Sequence, residues 1–135
     1  MKIQQALPPN YNRILNSGMR PDPQNTIFTY GDTIYNPSGR EIPDYLIKHE
    51  ETHFLQQGSN PNAWWNRYIT DPYFRIEQET EAYAKQYDFM CQIVKDRNAR
   101  YKILYQLALS LSGIRYGAVI TQMSALKLIK NKSKI

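Results

Sequence analysis

The chain is short of the groups that usually build redox and multi-ligand metal sites. It has one cysteine, Cys91, so neither an internal disulfide nor a CxxC metal knuckle can form, and the thiol reads as a small packed side chain. Histidine occurs only at positions 49 and 53. No apolar run approaches the ~20 residues of a membrane span. Met1 to Asn12 holds one lysine and two prolines but no apolar stretch of the kind found in a secretory signal. The expectation is a soluble protein that stays where it is made, in the cytoplasm.

Acidic residues are nearly missing from the C-terminal third. Residues 95–135 hold nine Lys and Arg against Asp96 alone, whereas residues 1–94 hold eight against eleven Asp and Glu. The net charge of +5 is therefore a C-terminal property. With no clustered aromatics or Arg-rich motif it reads as a solvated helical face, and contact with nucleic acid or an acidic partner is the alternative. At 135 residues the chain fits one domain, 1–135, with one hydrophobic core.

Prolines at 8, 9, 21 and 23 make residues 1–25 an extended lead-in, with one helical turn between Tyr11 and Ser17. Thr26 to Tyr30 and Thr33 to Tyr35 are β-rich runs across Gly31-Asp32, which predicts a β-hairpin. Pro43-Asp44 suits the first turn of a helix running to Gln57. Asn60-Pro61 and Asp71-Pro72 repeat a cap-then-proline signal, predicting a short helix through Trp64, Trp65 and Tyr68 and a long one over Tyr73 to Asp96. Further helices are predicted over Ala99 to Leu111 and from about Thr121, the last presenting Met123, Leu126, Leu128 and Ile129 and ending in a basic tail, 121–135. Strands precede helices and are too few for a parallel sheet, so the fold class is α+β.

Both histidines fall in His49-Glu50-Glu51-Thr52-His53. On a helix, imidazoles four apart project from one face, so both can reach one Zn²⁺ with Glu50 beside it. This is the HExxH pattern of zinc peptidases. A catalytic zinc takes three protein ligands and keeps a position open, and with no third histidine the remaining ligand must be acidic. Among Glu77, Glu79 and Glu81, helical periodicity puts Glu79 on the apolar face with Ile76, Ala82, Tyr83, Met90 and Ile93. A carboxylate there requires a partner such as a metal. Glu81 and Lys85 form an exposed i,i+4 pair in this reading, and Glu51 is solvated or locally paired. Tyr83, one turn beyond Glu79, is the candidate to accept a hydrogen bond from the outer ring N–H of a metal-bound imidazole, with a plain core tyrosine as the alternative. Trp64 and Trp65 read as packing anchors.

The expected chemistry is hydrolysis of a peptide bond. One zinc per chain, on His49, His53 and Glu79, would acidify water, and Glu50 would take its proton and pass it to the leaving amine. Were Thr33 to Tyr35 to border the cleft, an extended peptide substrate could add to it as another strand.

At these residues the chain resembles the gluzincins, and most closely small minigluzincin-like and phage-type metallopeptidases. The resemblance rests on His49 to His53 with Gln56, and on Arg75-Ile76-Glu77-Gln78-Glu79-Thr80-Glu81-Ala82-Tyr83. Several gluzincin families carry ExxAD, whose first glutamate is the ligand; here it reads Glu79-Thr80-Glu81-Ala82-Tyr83, with Tyr83 in place of Asp. The resemblance covers about residues 42–86 and implies a zincin-like fold with zinc. Two other functions stand beside it. One is a non-catalytic zinc-containing protein that binds nucleic acid or an acidic partner through Lys127, Lys130, Lys132 and Lys134. The other is a hydrolase of cell-wall amides.

Overall fold

Asn60-Pro61 and Asp71-Pro72 mark two helix starts. In the computed structural model, which describes residues 1–135, the Asn60 side chain accepts from the Ala63 N–H and that of Asp71 from the N–H groups of Tyr73 and Phe74. Each cap satisfies otherwise orphaned donors, an effect worth about 1 kcal/mol, and each proline sits where its missing N–H costs nothing.

The elements in order are β1 (Lys2–Gln4), α1 (Tyr11–Asn16), β2 (Phe28–Tyr30), β3 (Thr33–Tyr35), α2 (Asp44–Gln57), α3 (Pro61–Thr70), α4 (Pro72–Ile93), α5 (Arg97–Leu111) and α6 (Gln122–Lys132), with a 3₁₀ turn at Ile114–Tyr116 between the last two. The class is α+β. None of the helices is long and apolar enough to cross a membrane. Helix α4 stops at Ile93 rather than Asp96, because the Asp96 side chain caps α5 by accepting from the Ala99 N–H.

The hairpin forms where the residue pattern puts it. Gly31 has φ +61°, as a two-residue hairpin turn with glycine first requires. The lead-in, however, is more than an extended segment. Lys2–Gln4 lies parallel to β3, with Ile3 opposite Ile34, in a sheet of order β1-β3-β2. Ile14 of α1 and Met19 are buried. Both edges of β3 are thus occupied, so a peptide cannot add there; β2 is the edge strand that packs on α2.

Two apolar clusters hold the fold. One joins Ile14, Met19, Phe28, Trp64, Trp65 and Tyr68, and the other gathers α4, α5 and α6 around Tyr83, Cys91, Leu104, Leu111 and Ile129. Cys91 is fully packed. On α4, Ile76, Glu79, Ala82 and Tyr83 face inward as periodicity predicts, but Ile93 is exposed at the final turn. Helix α6 buries Ala125 and Ile129, while Met123 and Leu128 face solvent, a rotation of the expected apolar face.

Candidate metal centre

Helix α2 buries an unusual polar stripe of His49, Glu50, His53 and Gln57. The two imidazoles lie edge to face with ring centroids 4.9 Å apart. Glu79 enters from α4, its Oε1 standing 3.0 Å from His49 Nε2 and 3.2 Å from His53 Nε2. Its second oxygen accepts from the Tyr68 hydroxyl at 2.6 Å. These four α2 and α4 residues, the two histidines with Glu50 and Glu79, are only 4–6 % exposed, so their charges are almost dry.

The outer ring nitrogens define what faces inward. His53 Nδ1 is 2.8 Å from Gln56 Oε1. The Gln56 amide nitrogen donates to the Gln78 carbonyl and to Glu81, at 3.0 and 2.8 Å, so the oxygen must be the atom that meets the ring. An amide oxygen only accepts; His53 Nδ1 therefore carries the proton, and its Nε2 presents a lone pair. His49 Nδ1 faces Gln86 Oε1 at 3.0 Å, and with the amide oxygen in that place it is the protonated nitrogen of its ring. With the outer nitrogens protonated, two imidazole nitrogens and a carboxylate oxygen converge on one point, an arrangement that a metal ion or a shared proton can satisfy.

The buried His49, Glu50 and His53 group can hold a metal ion, its ligand atoms all lying within 4.8 Å of one another. Two carboxylates therefore reach the centre. Glu50 places Oε1 on the Thr29 hydroxyl at 2.8 Å and leaves Oε2 3.8 Å from His49 Nε2, whereas one oxygen of Glu79 touches both histidines. Glu79 is the closer of the two to the point where the imidazoles meet.

Without a metal the same convergence draws in a proton. Burial alone would lower the His53 pKa, but the adjacent Glu79 carboxylate outweighs it and raises the group to about 9. Burial opposes ionisation of Glu79, yet His53 and the two imidazole contacts hold its carboxyl well below the usual range. Burial raises Glu50, an effect that the neighbouring histidines and the Thr29 hydroxyl only partly offset.

Tyr83 sits elsewhere than expected. Its ring packs edge-on against His49, centroids 4.5 Å apart, and its hydroxyl meets that of Tyr116 at 2.8 Å. The atom at His49 Nδ1 belongs to Gln86. That residue lies seven positions beyond Glu79, on the same stripe of α4, so periodicity held the signal for it. Tyr68 and Thr29 come from other elements and leave no local trace. Glu81 pairs with Gln56 rather than Lys85. Trp64 and Trp65 are buried and send their indole N–H groups to Gln78 Oε1 and the Thr29 carbonyl, as packing anchors do.

Buried Arg75 fixes the far side of the site. Its guanidinium donates to the carbonyls of Tyr68, Ile69 and Tyr116 at 2.9, 2.9 and 3.0 Å. This ties the 3₁₀ turn to α3 and α4 and brings Tyr116 and Arg115 to the cleft. A cavity of about 160 Å³ opens beside the histidines. Ile14, Met19, Phe28 and Trp65 are among its apolar lining residues, and Glu50, Tyr83 and Arg115 line it as well.

Compared with protein-family models, curated proteins and solved structures, the chain matches none.

Proposed function

We propose that the protein is a zinc-dependent peptidase, with the metal held by His49, His53 and Glu79 and with Glu50 as the proton carrier. The observation that carries this reading is the division of labour between the two carboxylates. Glu79 shares the focus of the imidazole lone pairs, while Glu50 is anchored at one oxygen by Thr29 and keeps the other free beside that focus.

The donor set fits zinc. Tetrahedral ligands at 2.0–2.1 Å from a zinc ion stand about 3.3 Å apart, and the two imidazole–carboxylate separations here are 3.0 and 3.2 Å. Bound there, zinc would supply a Lewis acid and water acidified from about 15.7 towards about 7.

The rest belongs to the chain. Glu50 accepts a proton at Oε2 and returns it to the departing amine, so one carboxyl serves as base and then as acid. Burial favours its protonated form, which brings its affinity for the proton closer to working pH than that of an exposed glutamate. The Thr29 hydroxyl holds the carboxylate plane through Oε1. Gln56 and Gln86 hold the rings, and Tyr68 holds the outer oxygen of Glu79. The apolar wall beside the histidines offers room for a substrate side chain. A zincin-like arrangement, with HExxH on one helix and the acidic ligand on a following one beside a sheet edge, agrees with this reading.

The test is cleavage of unstructured protein, such as casein, by the zinc-loaded chain. Activity that chelation abolishes and zinc restores, with Glu50→Gln slower by at least about 10²-fold, is the expected result. Equal rates for the parent and Glu50→Gln would overturn the mechanism.

A further inference from the structure

Arg115 lines the cavity that holds Glu50 and forms no ion pair. It is exposed, lines the same cleft as Glu50 and His49, and has no carboxylate within 4.0 Å of its side-chain nitrogens. Its guanidinium reaches the Asn25 carbonyl at 3.4 Å, close to the limit of a hydrogen bond, and it also feels the Tyr116 hydroxyl and, from farther off, the Glu79 carboxylate. Asp22 feels its field from beyond ion-pair range but already accepts from Gln24 and Asn25. Arg75 provides a contrast, since it is buried and its donors are taken up by three carbonyls. The fold thus uses one arginine to pin the 3₁₀ turn, and the pinned turn carries the other to the cleft.

A guanidinium offers a planar fork of donors matched to a carboxylate, and near apolar surface such a pair is stronger than in open water. The cavity adjoining it is walled by Ile14, Met19, Phe28 and Trp65, and at about 160 Å³ it suits a group of roughly benzene size. The two features together describe an apolar side chain with a carboxylate close to it.

We infer that Arg115 is a specificity-determining residue that binds a carboxylate of the substrate, next to an apolar side chain seated in the cleft. This rests on the peptidase reading for the word substrate, but the recognition itself needs no turnover. The carboxylate has two possible sources, the free C-terminus of a peptide or the side chain of an Asp or Glu within it.

Binding of small probes to the zinc-loaded protein, followed by calorimetry or NMR titration, separates the arms. N-acetyl-leucine should bind at least about 10-fold more tightly than N-acetyl-leucinamide, equivalent to about 1.4 kcal/mol. Arg115→Gln should erase that difference, Arg115→Lys should keep part of it, and Arg97→Gln, on another face, should leave it intact. A matching preference for N-acetyl-leucyl-glutamic acid α-amide, whose side-chain carboxylate is free, over N-acetyl-leucyl-glutamine α-amide would assign the side-chain source, and its absence would assign the C-terminus. Equal affinity of the parent for acid and amide would overturn the inference. So would a preference that survives Arg115→Gln, which would mean that the carboxylate is read by the metal instead. Failure to cleave casein while the probe preference holds would sink the peptidase reading and leave the anion site standing.

Discussion

Gln56 turns its side-chain oxygen to His53 Nδ1 at 2.8 Å because both hydrogens of its amide are engaged by Gln78 and Glu81. That contact sets the tautomer of His53, and Gln86 Oε1 stands at His49 Nδ1, 3.0 Å away. Removing these orienting acceptors should weaken the metal without removing a ligand. Gln56→Leu and Gln86→Leu are each expected to lower zinc affinity by about 10- to 100-fold in competition with a chromophoric chelator. Parent-like affinity in both would mean that the rings are oriented by packing alone.

Thr29 acts on Glu50 from the edge strand. Its hydroxyl favours the ionised carboxylate, so Thr29→Val, nearly equal in volume, should raise the Glu50 pKa further and move the acidic limb of the kcat/KM profile to higher pH. A change in rate with an unmoved profile would reduce Thr29 to a packing role.

The metal-free protein should show a two-sided pH dependence of stability. His53 is raised from 6.5 to about 9 by folding, so its contribution is complete below pH 6.5 and is lost as the pH rises through about 9. Glu79 is depressed below its ordinary 4.5, so its contribution is present above that value and fades on acidification. Glu50, raised by burial, opposes the pair as it ionises. Thermal melting in chelator should therefore weaken towards pH 9 and towards acid, and added zinc should flatten the alkaline side by replacing the proton. A metal-free melting temperature that climbs steadily from pH 6.5 to 9 would contradict the geometry.

Gly117 permits the turn that carries Tyr116 and Arg115. Its φ is +94°, and a β-carbon there would lie 3.0 Å from Arg75 Nη1. Gly117→Ala should cost about 1–3 kcal/mol by denaturant unfolding. A cost near zero would show that the turn can relax without disturbing Arg75.

What could be read from the residues alone followed from local signals. The caps at Asn60 and Asp71, the Gly31 turn and the i,i+4 spacing of His49 and His53 each act within a few positions, and each sits where its residue type predicts. The inward face of Glu79 was legible because α4 is long enough to show its period. Strand β1 was not, because three exposed residues paired in parallel with a strand some thirty positions away give neither alternation nor a turn. Tyr68 and Thr29 were invisible for the same reason, being brought to the carboxylates by tertiary packing. Ile93 and Met123 show the reverse failure, apolar residues on a predicted inner face that fall where no element covers them.

The central claim is the assignment of the two carboxylates, and zinc stoichiometry tests it most directly. Purified, zinc-equilibrated protein should hold about one zinc per chain; Glu50→Gln should hold the same, and Glu79→Gln should lose most of it at equal folding. Full zinc in Glu79→Gln together with loss in Glu50→Gln would contradict the account, since Glu50 would then be the ligand and the proton carrier would have to be sought elsewhere.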